Sequence, residues 1–214
     1  MIISRKNNRF LIIFATILLA VCMFSTTAEA ASKKTKALNA YNKLLSKNSF
    51  TVNKYGKMTF YTSHCSFGIA YIDKDSVPEL IIYNPWDSYH AAGYGTIFTY
   101  KGGKVRKAAD LSMNGESLGY YKKKGVIVDN YASTGTYVVT VKRLSSGKLK
   151  IVASYSQRMK ENGKFTAKEY WNAAGKKIKK ATYKKAVKKY AKKTKQAAVK
   201  FYENTYANRQ SYLK

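Results

Sequence analysis

The chain carries 40 Lys/Arg against 11 Asp/Glu in 214 residues, a formal net charge of +29. Thirty-four of the basic residues are Lys and six are Arg, which favours diffuse attraction to polyanions over forked recognition of phosphate or base edges, so no specific nucleic-acid partner is expected. Two cysteines, one of them in an N-terminal leader, exclude an intramolecular disulfide framework.

Residues 1–30 read as a secretory signal peptide. Arg5, Lys6 and Arg9 form a positive start, Phe10 to Phe24 an apolar stretch, and Ala28-Glu29-Ala30 a small-x-small cleavage site before Ala31. The apolar stretch is about 15 residues, short of the roughly 20 that span a bilayer. Leu19-Ala20-Val21-Cys22 offers lipid attachment as an alternative, but Val21 stands where that motif wants a small residue. Cleavage takes three Lys/Arg and one Asp/Glu away, leaving 37 against 10, or +27 on 184 residues. The expected location is extracellular or cell-wall associated.

The mature chain divides into an N-terminal helix over 31–48, an antiparallel β domain over 49–175 and a lysine-rich helical region over 176–214. In the first, Leu38, Tyr41, Leu44 and Leu45 fall at helical spacing. From Phe60 the pattern changes to short β-type runs. Phe67–Ile72 and Glu79–Tyr83 flank a polar loop; Thr96–Lys101 and Lys104–Ala108 flank Gly102-Gly103, a two-residue hairpin signal. From Tyr137 to Tyr155 a second hairpin shows Tyr137, Val139 and Val141 alternating, and then Leu149, Ile151, Ala153 and Tyr155, which asks for one buried face. Turn glycines recur at Gly103, Gly125, Gly147, Gly163 and Gly175. The fold class is therefore α+β, mainly an antiparallel β meander, drawn as an irregular barrel or partial propeller, with an N-terminal helix and basic C-terminal helices.

In the C-terminal region Thr182 is placed to cap a helix over Tyr183–Lys193, with Tyr183, Ala186, Val187, Tyr190 and Ala191 on one face. Lys184, Lys185, Lys188, Lys189, Lys192 and Lys193 fall on the other, the predicted contact surface for an anionic cell-wall polymer or acidic glycan. A basic amphipathic helix can also make peripheral membrane-surface contact, but this apolar face lacks Leu, Phe and Trp, so packing on the sheet is expected. A short capped helix over Asn204–Leu213 closes the chain.

A second binding candidate is the 12-residue connection Asn84–Gly95, where Trp86 and Tyr89 are placed to stack on sugar rings while Asp87 and His90 orient hydroxyls. Catalysis has weaker footing. Cys65 follows His64 directly, and adjacent strand residues point to opposite faces, so His64 is badly placed as its base. A secreted hydrolase built on Cys65 and His90 is the rival reading; no G-x-S-x-G, H-E-x-x-H or P-loop pattern supports it, and the chain is read as a non-enzyme.

Tyr71-Ile72-Asp73-Lys74-Asp75-Ser76-Val77-Pro78-Glu79-Leu80 resembles the D-x-D-x-D-G-x-x-E-L loops of FG-GAP and VCBS-like extracellular modules. The resemblance implies a strand-loop-strand element in a secreted β domain, with Asp73, Asp75 and Glu79 as metal ligands and a structural calcium-dependent module as a further alternative. Tyr71 replaces the first Asp and Ser76 the glycine of that pattern, so no cofactor and little effect of calcium are expected. The signal peptide, this loop, the Tyr100–Val105 hairpin and the Asn204-to-Arg209 ending together look like small uncharacterised secreted proteins of Gram-positive bacteria. Trp171 to Lys177 bears a weaker likeness to choline-binding cell-wall repeats.

Overall fold

The helical spacing of Leu38, Tyr41 and Leu45 is realised in helix α1 over residues 31–45, whose Ala37, Leu38, Tyr41 and Leu45 are buried while its lysines face solvent. The structure, a computed structural model, describes residues 31–53, 57–85, 93–145 and 148–214. The leader, and with it Cys22, therefore lies outside the described residues.

Strands β1 (Ser49–Asn53) and β2 (Lys57–Tyr61) pair as a small antiparallel ribbon. Next come β3 (Ser66–Ala70), β4 (Glu79–Asn84), β5 (Gly93–Lys101) and β6 (Lys104–Met113), an antiparallel meander. Gly102 and Gly103 both hold positive φ, 61° and 74°, in the turn from β5 to β6, a backbone that a side chain there would strain. A second meander follows: β7 (Leu118–Tyr121), β8 (Val126–Ser133), β9 (Thr136–Ser145), β10 (Lys148–Arg158), β11 (Glu169–Asn172) and β12 (Lys177–Ile178). After helix α2 (Lys180–Ala191), β13 (Gln196–Ala198) pairs with β7 and β14 (Phe201–Glu203) with β3, before helix α3 (Tyr206–Tyr212). The result is a five-stranded sheet in the order β14-β3-β4-β5-β6 and a seven-stranded sheet in the order β12-β11-β10-β9-β8-β7-β13.

Side-chain parity shows how these stack. In β4, Leu80 and Ile82 join Leu38, Tyr41, Leu45 and Phe67 in one cluster, whereas Ile81 and Tyr83 join Ile97, Leu111 and Ile127 in another. In β8, Ile127 belongs to that second cluster, while Val126 and Val128 pack with Val139, Val141 and, from α2, Tyr183, Val187 and Tyr190. Successive strand residues point to opposite faces, so the layers run α1, five-stranded sheet, seven-stranded sheet, α2. The fold is α+β with an antiparallel β meander, as expected, but its two main sheets are open and stacked, beside the small β1–β2 ribbon; neither closes into a barrel.

Two sequence expectations need correction. Ile151, assigned to the buried face of its strand, is 49% exposed. A register shift between Ile151 and Ala153 pairs Ile151 with Lys142 and Ala153 with Val141, so the bulge turns the strand's parity over midway. Helix α2 begins at Lys180, three residues before the expected start, and Thr182 lies inside its first turn; Lys179 is its N-cap, with no side-chain cap bond. Among the described residues no helix is long and apolar enough to cross a membrane.

Candidate functional site

Two oppositely charged surfaces and two cysteine-neighbourhood residues can be placed; Trp86, Asp87, Tyr89 and His90 lie outside the described residues. The basic surface is α2 and the residues just beyond it. The helix rests on β10 and β11 through Tyr183, Val187 and Tyr190, and the Tyr183 ring lies 5.1 Å from that of Tyr170 and 6.1 Å from that of Tyr155. Burial pushes the Tyr183 hydroxyl up to about 12, with the neighbouring tyrosines adding to it. Packing on the sheet, as the face's lack of Leu, Phe and Trp implied, leaves Lys184, Lys185, Lys188, Lys189, Lys192 and Lys193 exposed. Among the described residues none of the six has a carboxylate within 4.0 Å. The Lys189 ammonium lies 5.6 Å from the Tyr190 ring centroid. Lys192, at the C-cap with φ 55°, ends the helix, so Lys192 and Lys193 extend the charged face past its last turn.

The acidic surface is the loop between β3 and β4. Ligand atoms of Asp73, Asp75 and Glu79 all lie within 4.8 Å of one another. Local hydrogen bonds hold the loop: Asp73 Oδ1 accepts from the Asp75 amide at 2.9 Å, and Asp75 Oδ1 from the Val77 amide at 2.8 Å. Glu79, the first residue of β4, is fully buried, and its Oε2 accepts from the Ile72 amide at 2.8 Å. Its Oε1 is buried with no hydrogen-bond partner among the described residues. Desolvation, with the charges of Asp73 and Asp75 adding to it, pushes the Glu79 carboxyl up to about 8, and burial also raises Asp75. From the other side Tyr41 of α1 donates to the Pro78 carbonyl at 3.0 Å; burial, then Glu79 and Asp75, drive its hydroxyl well above the tyrosine range.

This loop also reaches the second sheet. The Lys123 amide donates to Tyr71 O at 2.8 Å and the Gly125 amide to Ile72 O at 2.6 Å, so the turn between β7 and β8 is bonded to it. A cavity of about 390 Å³ opens here, lined by Asp73 and Asp75 on one side and Lys124, Arg143 and Ser145 on the other. The Arg143 guanidinium in turn lies 5.0 Å from the ring of Tyr190 on α2. No sequence signal pointed to Arg143, because its neighbourhood joins Asp73 and Asp75, about 70 positions earlier, to Tyr190, about 50 positions later. A further cavity of about 520 Å³, lined by Ser156, Gln157, Arg158, Thr166 and Glu169, was equally unmarked in the sequence.

Cys65 is buried in the cluster beneath α1, its Sγ 3.3 Å from Tyr61 O, and burial pushes its thiol up to about 12. A thiol so held is a poor source of thiolate. His64 ends a 3₁₀ turn (Thr62–His64) and is exposed, its ring 6.3 Å from that of Tyr61.

No protein-family model matches the chain, and no curated protein matches it. A crystal structure of a protein of unknown function from Bacteroides fragilis aligns over 64% of this chain and 91% of that one, at 10% identity and a TM-score of 0.31. So slight a likeness carries no argument about fold or function.

Proposed function

We propose that this is a secreted, non-catalytic binding protein that acts at the bacterial surface on an anionic cell-wall polymer or acidic glycan. The observation that carries the reading is the exposure of six lysines, four on a helix whose opposite face is docked on the sheet and two, Lys192 and Lys193, just past its end. A half-buried apolar face docks the helix, so its lysines form a charged ridge that no carboxylate among the described residues pairs with. The loop carrying Trp86, Asp87, Tyr89 and His90 remains the alternative contact, through stacking on sugar rings.

The test is retention of the purified protein on immobilised teichoic acid, with Lys184, Lys185, Lys188 and Lys189 changed to Glu. The variant should lose retention while keeping the melting curve of the parent, because none of the four side chains is buried. Raising salt from about 50 to 200 mM should weaken parental binding roughly 50- to 300-fold, taking four to six phosphate contacts at about 0.7 counterions each. Retention that survives both changes would move the site to the Trp86 loop. Material recovered from the culture medium should begin at Ala31.

A further inference from the structure

We propose that the half of the seven-stranded sheet's inner face that the five-stranded sheet leaves bare is a binding platform for an uncharged oligosaccharide, separate from the lysine ridge. On β8 to β10, Val126, Val128, Val139, Val141 and Tyr155 pack on the side of α2, so the residues between them face the other way. The strand register sets these in rows. One row is Asp129, Thr140, Ser154 and Trp171, and the next is Tyr131, Val138, Ser156 and Glu169. The five-stranded sheet covers only the end at Ile127, Leu144 and Leu149, which pack in the cluster between the sheets. Tyr131, Val138 and Trp171 belong to no core cluster, and Tyr131 is 38% exposed. Two cavities flank the rows. One of about 370 Å³ is lined by Ser112, on the edge strand β6, with Asp129, Tyr131, Thr140 and Lys142. The other, of about 520 Å³, lies where the return to β11 is bulged: Ser156 pairs with Glu169 and Arg158 is bonded to Thr166, so Ala167 and Lys168 stand opposite Gln157 alone.

The chemistry of the face selects its ligand. Asp129 is matched by Lys142 and Glu169 by Lys177, so two carboxylates against three cations, with Arg158, leave a single excess positive charge on a face of a strongly basic chain. A polyanion therefore gains far less here than on the ridge. The hydroxyls of Thr140, Ser154 and Ser156 both donate and accept, as those of a sugar do, and Thr140 and Ser154 bond to no described side chain. Ser156 Oγ accepts from the Trp171 indole N–H at 3.2 Å, which holds that ring in place before a ligand arrives. Aromatic rings at Trp171 and Tyr131 offer apolar surface to the C–H faces of pyranose rings. Strands β8 and β11 lie three strand spacings apart, about 14 Å, so a chain of linked rings laid across them reaches both aromatics. A second copy of this chain is a poorer occupant, because the centre of a stable protein interface is depleted of charge and this face carries ion pairs.

The test is calorimetric titration of the purified protein with chitohexaose and with cellohexaose, both uncharged. At least one hexamer should bind saturably, and its dissociation constant should change by less than about twofold between roughly 50 and 200 mM salt, since no condensed counterions are released. Tyr131→Ala and Trp171→Ala should each weaken binding about tenfold, the scale of one aromatic contact, and should melt close to the parent because neither ring belongs to a core cluster. Trp171→Phe keeps an aromatic surface but cannot donate to Ser156, so its affinity should fall between those of the parent and Trp171→Ala. Saturable binding of neither hexamer, a salt dependence as steep as that of teichoic acid retention, or undiminished binding in both alanine variants would each overturn the platform. A parental dimer that Tyr131→Ala dissociates would assign the face to a second copy and overturn it as well.

Discussion

Burial of Glu79 predicts an acid whose proton is worth more to the folded chain than to the unfolded one, and the sign of the resulting pH dependence is opposite to that of a salt-bridged carboxylate. Its carboxyl is pushed from the ordinary 4.5 to about 8, first by desolvation and then by the charges of Asp73 and Asp75. Below about pH 4.5 both states hold the proton and the group's contribution is fully present. Between about 4.5 and 8 the unfolded chain has released its proton while the folded chain keeps it, so stability falls as pH rises. At about 1.4 kcal/mol per unit the loss has a ceiling near 5 kcal/mol, and a few kcal/mol is the expected scale. The elevated Asp75 carboxyl acts in the same direction, discounted because it is exposed. Urea midpoints in chelator at pH 5, 6, 7 and 8 measure this, with Glu79→Gln as the comparison, since it has no proton to lose. The wild type should decline over this range and Glu79→Gln should decline much less. Wild-type stability that is level or rises from pH 5 to 8, or an equal slope in Glu79→Gln, would refute the reasoning.

Two further predictions concern packing. Gly68 of β3 faces β14 so closely that an added Cβ would meet Val199 Cγ1 and come within 2.9 Å of Lys200 O. Gly68→Ala should therefore cost about 1–3 kcal/mol in a denaturation midpoint and loosen the β14 end of the sheet; an unchanged midpoint would mean that the C-terminal segment yields freely. The Cys65 thiol should react with iodoacetamide only after denaturation, because it is buried and its proton is held to about 12, and Cys65→Ala should leave polymer retention intact. Labelling of the native protein at the rate of the unfolded chain would contradict the packed position.

The elements that sequence showed well are those with one exposed and one buried face. Leu38, Tyr41 and Leu45 mark α1 because every third or fourth residue meets the same cluster, and Lys184, Lys185, Lys188 and Lys189 mark the outer side of α2 for the same reason. The terminal helix was readable from Thr205, whose hydroxyl accepts from the Asn208 amide at 3.2 Å. The stacking of two sheets was not readable, because β4 is buried on both faces and its Leu80-Ile81-Ile82-Tyr83 run has no alternation to show which side meets which layer. The bulge after Ile151 has no glycine or proline to announce it. Nor does α2's start follow from capping chemistry: docking of Tyr183 against Tyr155 and Tyr170 outweighs the cap preference of Thr182. For the acidic loop, spacing placed Asp73, Asp75 and Glu79 together, but burial of Glu79 depends on Tyr41, 38 residues earlier, and on the turn at Gly125.

The distribution of charge explains how the ridge keeps its charge. With 37 basic and 10 acidic residues after Ala30, any carboxylate at the surface has abundant cationic neighbours to pair with. Asp110 pairs with Lys107 at 2.7 Å, Asp129 with Lys142, and Glu169 with Lys177 at 2.5 Å. Asp73, Asp75 and Glu79 instead place three of those ten acids within seven residues, and among the described residues none of them has a basic group within 4.0 Å. Backbone amides at Ile72, Asp75 and Val77 hold that arrangement, and burial favours the proton on Glu79. Acids drawn into this cluster are unavailable to the ridge from Lys184 to Lys193, which keeps its charge for an anionic partner. The same reasoning requires the ridge to act without the loop: Asp75→Asn should leave retention on teichoic acid unchanged. Loss of retention in Asp75→Asn with an unchanged melting curve would extend the contact surface to this loop, which reaches α2 through Arg143.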